Sequence, residues 1–414
     1  MRRISSGMND TDVQSRLRIQ GYKLNKANNQ LGSQRRIQEL RDDPIAAGHL
    51  VRYQSFAGRV KQFEENAQTL TERFTVREGY MNDSLQIMQR VRELAVQGAH
   101  GTYTKDDLQN MAGEVDQLLR QMIQNANAVD QDGNALFAGT NTKVTAFEVE
   151  MGNVEGSGVP MIQEVIYNGN VASNNVEVDE GQYLEVNNSG NRTFWADKQT
   201  LTSGRDVTNW VAQNDSVISV DGKDISVSAG DNIYAVIAKI NNSDAAVKAS
   251  LDPITRGLHL QTTDARQLWL KDEEGSVLTD LGVISGTEQR PPYNYATGTR
   301  VSGGSMFDSV IALRNAMLKG DQEAIGSRVL GSLDAGLGNL VTRIAENGSS
   351  YERASLNVAR NSQTALNVTQ MIATEGDLDF TKAVTDMKMM DYVHQASLSV
   401  AGKMYSSTLL NYMR

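Results

Sequence analysis

The chain of 414 residues contains no cysteine, which excludes a disulfide framework, a thiolate zinc site, an iron–sulfur cluster and a cysteine nucleophile. It has only five prolines, Pro44, Pro160, Pro253, Pro291 and Pro292, so residues 45–140 and 301–414 lack the residue that most strongly breaks helices. No run of about 18 apolar residues exists to span a bilayer, so no membrane insertion is expected. Met1-Arg2-Arg3 looks like a signal-peptide start, but Ile4 to Asp10 supplies no apolar stretch, and export without a cleaved Sec-type signal is expected. The four histidines, His49, His100, His259 and His394, never fall at the i, i+3 or i, i+4 spacing of two metal ligands on one helix face. With 40 Lys plus Arg against 50 Asp plus Glu, the net charge of −10 argues against nucleic acid as a partner.

Catalytic patterns are equally scarce. Asp130-Gln131-Asp132-Gly133-Asn134 opens like a calcium loop, yet Gly133 comes early and Asn141 stands where the bidentate glutamate belongs, so it reads as a turn. Gly336-Leu337-Gly338 lacks the third glycine of a phosphate-binding loop and lies within a helical pattern. Asp42-Asp43 ahead of Pro44-Ile45 resembles helix N-cap chemistry more than a carboxylate dyad. The expectation is no enzyme, no cofactor and no metal.

What the sequence does hold is long helical periodicity at both ends. From Tyr53 the apolar residues step by three and four through Phe56, Val60, Phe63, Ala67, Leu70 and Phe74 to Met81, Met88, Val91 and Ala95, interrupted at Arg77 and Ser84. This predicts a helix from Ile45 to about Gln97, stopped by Gly98-Ala99-His100-Gly101; Thr104 and Asp107 then form a capping box for the next helix. A seven-residue step recurs in Leu330, Leu337, Ile344, Tyr351, Val358, Ala365 and Ile372. After a reset at Asp377 to Phe380, Val384, Met387, Met390, Val393, Ala396, Val400 and Met404 continue on a last helix. Between the flanks, short alternating runs separated by Gly, Asn and Asp turns predict β structure, with Asp221-Gly222 as a hairpin turn. All three tryptophans and the acidity lie there: residues 141–300 carry 12 basic and 22 acidic side chains.

The first helix is thin. Val13, Leu17, Leu24 and Leu31 are its seam, set among Asn25, Asn28, Asn29 and Gln30. A buried leucine yields roughly 1.5–3 kcal/mol, whereas each ordered residue costs roughly 1–2 kcal/mol of backbone entropy. Three leucines cannot hold the whole segment, so it must pair, and the nearest apolar match is the C-terminal helix.

Arg35-Arg36-Ile37 followed by Arg41-Asp42-Asp43-Pro44-Ile45-Ala46-Ala47, downstream of Leu17 and Leu24, resembles the N-terminal signature of flagellins and flagellar hook-associated proteins. Leu136-Phe137-Ala138-Gly139-Thr140-Asn141-Thr142, with Tyr167-Asn168-Gly169-Asn170, is similar to the helix-to-strand exit of the hook–filament junction branch. Val220 to Lys223 through Ile240 to Ser243 and on to Leu281-Gly282-Val283 resembles the "IN" module of flagellar hook and cap proteins, and Ser406 to Leu410 resembles the family's last helix. One departure stands out: the family usually has Ser-Ser-Gly before its Arg-Ile pair, and here Gly32-Ser33-Gln34 takes its place.

The resemblance implies an α + β multidomain chain in which long antiparallel coiled-coil-like helices from both ends flank an inserted, mainly β domain. Terminal helices would occupy residues 1–44 and 377–414, a helical rod 45–140 and 301–376, and the β-rich insertion 141–300 with an IN-type module at about 217–283. It implies a secreted structural adaptor at the hook–filament junction, exported by the flagellar type III system. Its partners would be hook-associated protein 1, flagellin, further copies of itself in a helical ring, and a cytoplasmic export chaperone covering Val400 to Leu410. The implied assembly residues are Leu17, Leu24, Leu31, Val393, Val400, Met404, Leu409 and Leu410; the family-motif residues are Arg36, Ile37, Asp42, Asp43, Pro44, Leu136, Phe137 and Gly139. The alternatives are a filament flagellin and an adhesin-like secreted binding protein.

Overall fold

The computed structural model describes the backbone of residues 6–286 and 291–412, and the side chains of 11–286 and 291–403. In chain order it comprises α1 (Ser6–Ser33), α2 (Pro44–Ala99), α3 (Lys105–Ala126), β1 (Phe147–Gly152), β2 (Met161–Tyr167), β3 (Asn175–Asp179), β4 (Gln182–Glu185), the single turn α4 (Gly190–Thr193), β5 (Thr200–Thr202), β6 (Ser216–Val220), β7 (Lys223–Val227), α5 (Ile233–Asn242), β8 (Val247–Leu251), β9 (Leu258–Thr262), β10 (Leu270–Glu274), α6 (Val277–Asp280), β11 (Arg300–Ser302), α7 (Met306–Lys319) and α8 (Gln322–Ala324). A π-turn at Ile325–Val329 leads into α9 (Leu330–Gly376), and α10 (Phe380–Tyr412) closes the chain. This is the mixed α + β class expected, with long helices before and after a β-rich middle.

The chain divides into two compact units, one formed by residues 1–65 with 357–414 and the other by residues 66–356. The second contains two cores. In the first core, Met81, Met88 and Val91 of α2 meet Leu108, Val115 and Leu119 of α3 and Phe307, Val310 and Leu313 of α7. Both α3 and α7 start on capping boxes, Thr104 with Asp107 and Ser305 with Asp308, in which the hydroxyl accepts from the third backbone N–H and the carboxylate accepts in return. Arg314 is fully buried here, donating to Asp116 at 2.8 Å and to the Ile162 carbonyl at 2.6 Å, which ties α7 to α3 and β2. The second core belongs to a smaller module: the sheets β10-β6-β7 and β11-β5-β9-β8 close over Ile233, Val236 and Ile240 of α5. Its first hairpin turns at Asp221 and Gly222, with φ of 52° and 75°, the paired left-handed residues of a type I′ turn.

In α2 and α9 the seams differ from the sequence reading. Arg77 and Ser84 do not interrupt α2: both are buried, Arg77 lying over the Phe74 ring and donating to the Val186 carbonyl at 2.6 Å, and Ser84 donating to the Tyr80 carbonyl at 2.8 Å. Burial pushes the Arg77 pKa down to about 10. In α9 the positions expected to pack, Leu330 through Ile372, are only half-buried, and Tyr351 is exposed. The fully buried stripe runs three residues on, through Leu333, Leu340, Asn347, Ala354, Asn361 and Val368. It is the same seven-residue period on the adjoining heptad position, hidden from a hydrophobic scan because asparagine fills two of its sites. Asn347 accounts for itself by donating to the Phe74 carbonyl at 2.9 Å.

Candidate assembly surface

In the first unit, α1 packs along α10. Val13 and Leu17 lie with Val393, Ala396 and Val400, whereas Ala27 and Gln30 lie with Lys382, Ala383 and Asp386, so the two helices run antiparallel. The pairing is shallow. Leu17, Leu24 and Leu31 are half-buried; among the described residues Ala27 is the one fully buried apolar side chain of α1, and Ala401 is that of α10.

Along α10 the packed stripe follows expectation through Val384, Met387 and Met390, then moves to His394, Ser397 and Ala401. Val393, Ala396 and Val400, read from periodicity as its continuation, are exposed, Val400 by 58 %. Helix rotation explains the difference, because 3.6 residues per turn carries a strict three–four count off the contact line, and small or polar residues occupy that line instead. The larger apolar side chains therefore face outward: Met389, Tyr392 (74 %), Leu398 and Val400 on α10, with Ile19 and Tyr22 on α1. A groove of about 440 Å³ runs along this pair, lined by Val13, Leu17, Gln20, Tyr392, Val393 and Val400. Scattered apolar residues on a surface are ordinary; here Val393 and Val400 of α10 and Val13 and Leu17 of α1 line one groove, which makes it the candidate surface for a partner. Met404, Leu409 and Leu410 have side chains outside the described residues.

The motif Arg36 to Pro44 builds a clasp beside this pair. The Arg36 backbone N–H donates to the Gly376 carbonyl at 2.8 Å, its guanidinium donates to the Glu375 carbonyl at 2.7 and 3.1 Å and to Asp43 at 3.2 Å, and the Leu378 N–H donates to the Gln34 carbonyl. Asp43 accepts from the Ala46 N–H as the N-cap of α2, with Pro44 following at the first helical position. That bond, with the one from Arg36, holds the Asp43 carboxyl below its usual range. Asp42 accepts from Lys26 at 2.5 Å and from the N–H groups of Gln38 and Glu39, and the Lys26 bond likewise lowers its pKa. Ile37 is half-buried. The chain thus reverses from α1 into α2 while tied to the end of α9.

In the second unit, Leu136, Phe137 and Gly139 form a separate joint. Phe137 is buried edge-on to Phe194, whose ring also meets Phe147 and Phe307, with centroids 5.0–5.6 Å apart. The Tyr167 hydroxyl donates to the Phe137 carbonyl at 3.0 Å, and Asn170 Oδ1 accepts from the Thr140 N–H at 2.9 Å. Gly139 has φ of 67°, and a Cβ there would collide with the Asn170 carbonyl and side-chain oxygens. The two motifs, 136–142 and 167–170, are therefore one structure. Asp130 is a turn anchor: its carboxylate accepts from the N–H groups of Asp132 and Asn134 and from Arg73. Among the described residues no group of three His, Cys, Asp or Glu is placed to hold a metal ion, and no helix is long and apolar enough to cross a membrane.

Parts of the chain are similar to known proteins. The family model for the bacterial flagellin N-terminal helical region matches residues 4–142, and that for the flagellin hook IN motif matches residues 211–264. Flagellar hook-associated protein 3 of Escherichia coli (strain K12) is 24 % identical over 259 residues, covering 62 % of this chain and 74 % of that protein. Over these stretches the chain is similar to proteins of the flagellin superfamily. Within the superfamily, flagellar hook-associated protein 3 of Salmonella typhimurium is 22 % identical over 262 residues, 63 % of this chain and 74 % of its own length, and flagellin D of Vibrio anguillarum is 24 % identical over 327 residues, 78 % and 75 %. Among solved structures, flagellar hook-associated protein 3 from Legionella pneumophila covers 78 % of this chain and 97 % of its own, at 14 % identity and a TM-score of 0.48.

Proposed function

We propose that this chain is a non-catalytic adaptor of the bacterial flagellum at the junction of hook and filament, outside the cell. The observation that carries the assembly role is the open apolar groove of the α1–α10 pair, with Tyr392, Val393 and Val400 exposed along it. The alignment to hook-associated protein 3 over three quarters of that protein's length supports the junction assignment. The joint of residues 136–142 with 167–170 favours the same branch over a filament flagellin.

The partners in this reading are hook-associated protein 1 on one side, flagellin on the other, and further copies of the chain laterally. A helical lattice needs such head-to-tail contacts, in which the apolar face of one copy meets a different face of the next. Before export, a chaperone would cover the face around Val400 to Leu410. Electron microscopy of cells lacking the protein tests this: the junction role predicts shed filaments and bare hooks. A filament flagellin would instead leave hooks with intact junctions and filament of altered amount or composition, and that result would overturn the reading.

A further inference from the structure

A six-residue charge network joins the IN-type module to the rod. Arg343 of α9 is 3 % exposed, and its three guanidinium nitrogens donate to Asn339 Oδ1 at 3.1 Å, to Glu346 at 2.9 Å and to Asp264 at 2.7 Å. Asp264 lies just past β9, and it also accepts from Arg266 at 2.5 and 2.9 Å, while Arg266 pairs in turn with Asp221 of the hairpin turn. Arg192 of α4 completes the set, donating to Glu346 at 3.0 Å and standing 3.6 Å from Asp264. Three positive and three negative groups balance, and Asp264 is the carboxylate that touches every arginine.

Around this network the docking surface is polar and specific. Asn191 and Gln267 exchange two hydrogen bonds of 3.1 Å, the Tyr167 N–H donates to the Tyr293 hydroxyl at 3.0 Å, and Trp269 packs onto the rod core. Taking Asp264 away leaves Arg343 charged, desolvated and short of a partner, a far costlier state than losing an exposed ion pair.

We propose that the module and the rod are locked into one cooperative folding unit by the Asp264–Arg343 bridge, so that the module stabilises the rod rather than hanging from it as an appendage. The lock explains why a helix otherwise rich in small residues carries a buried arginine opposite the module. It also implies that excising the module strands Arg343 unless that residue is changed as well.

Amide hydrogen exchange on the full chain tests this, comparing residues 211–264 of the module with 81–95 and 306–319 of the rod. In the unaltered chain the slowest amides of both should open together, with matching rates. In Asp264→Ala the module should exchange at least about tenfold faster, with the rod following to a lesser degree. Adding Arg343→Met, which removes the stranded charge, should restore the rod while the module stays uncoupled. Arg343→Lys, which keeps the charge but loses the fork, gives a second reading if Asp264→Ala does not fold, and should likewise uncouple the module. Different rates for module and rod in the unaltered chain, or effects of Asp264→Ala and Arg343→Met that simply add, would overturn the proposal.

Discussion

Gln34 occupies the place where the family's turn usually has glycine, and it adopts φ of 54°, in the left-handed region that a residue with a Cβ enters at a cost of about 1–2 kcal/mol. Its carbonyl still accepts from the Leu378 N–H, so the clasp imposes the conformation and the side chain bears the strain. Gln34→Gly is therefore expected to raise stability by about 0.5–1 kcal/mol, part of the relief being offset by glycine's extra freedom in the unfolded chain; urea denaturation measures it, and a loss of stability would contradict the account. Gly139→Ala should do the reverse and cost at least about 2 kcal/mol, since neither its φ nor the adjacent Asn170 backbone leaves room. Asp264 sets a pH dependence. Burial alone would raise its pKa, but bonds from Arg266 and Arg343 outweigh burial and hold it at about 2 against 3.8 for the free side chain. A lowered carboxylate contributes its stability in full above about pH 4 and loses it as pH falls toward 2. A pH series of melting temperatures should show that fall, and Asp264→Asn should flatten it. Of these residues the sequence marked Gly139 and flagged the turn at Gln34, because both sit in motifs with backbone requirements. Asp264 gave no signal: besides Arg266, two positions on, its partners Arg192 and Arg343 lie 72 and 79 positions away, and only the fold brings those together.

Helix α10 shows at the level of the element how far pattern reading reaches. Element existence was legible, because proline-free stretches with three–four spacing and a capping box at Thr104 leave little choice but helix. Facing was less so. A hydrophobic scan assumes that the largest apolar residues point inward, and α10 reverses this beyond Met390, presenting Val393 and Val400 to the outside and packing on His394, Ser397 and Ala401. The same assumption missed the Asn347 and Asn361 line of α9. The capping box of Ser305 with Asp308 was present in the sequence and announces α7 as plainly as Thr104 announces α3. If the outward residues of α10 serve contacts between subunits, Val393→Ser with Val400→Ser should change the stability of the isolated chain by no more than about 0.5 kcal/mol, as for other exposed sites. Polymerisation, followed by light scattering with the flanking partner proteins, should be lost. Unchanged assembly, or collapse of the monomer, would count against that role.

For the whole molecule, the described structure contains two kinds of stability. Residues 66–356 enclose two apolar cores, the buried Arg314–Asp116 pair and a five-ring aromatic cluster, the content of a unit that stands alone. The α1–α10 pair has half-buried leucines and two buried alanines among its described side chains, and this contact is too thin to offset the entropy of ordering two long helices. The central claim is that the chain ends become firm only when neighbouring subunits cover them, a case of folding coupled to binding. Segment-resolved amide exchange of the dilute, unassembled chain tests it most directly. Residues 11–33 and 380–403 should exchange at nearly unprotected rates while α3 and α7 stay protected for hours, and incorporation into polymer should slow the ends by orders of magnitude. Ends as well protected as α7 in the free chain would contradict the account.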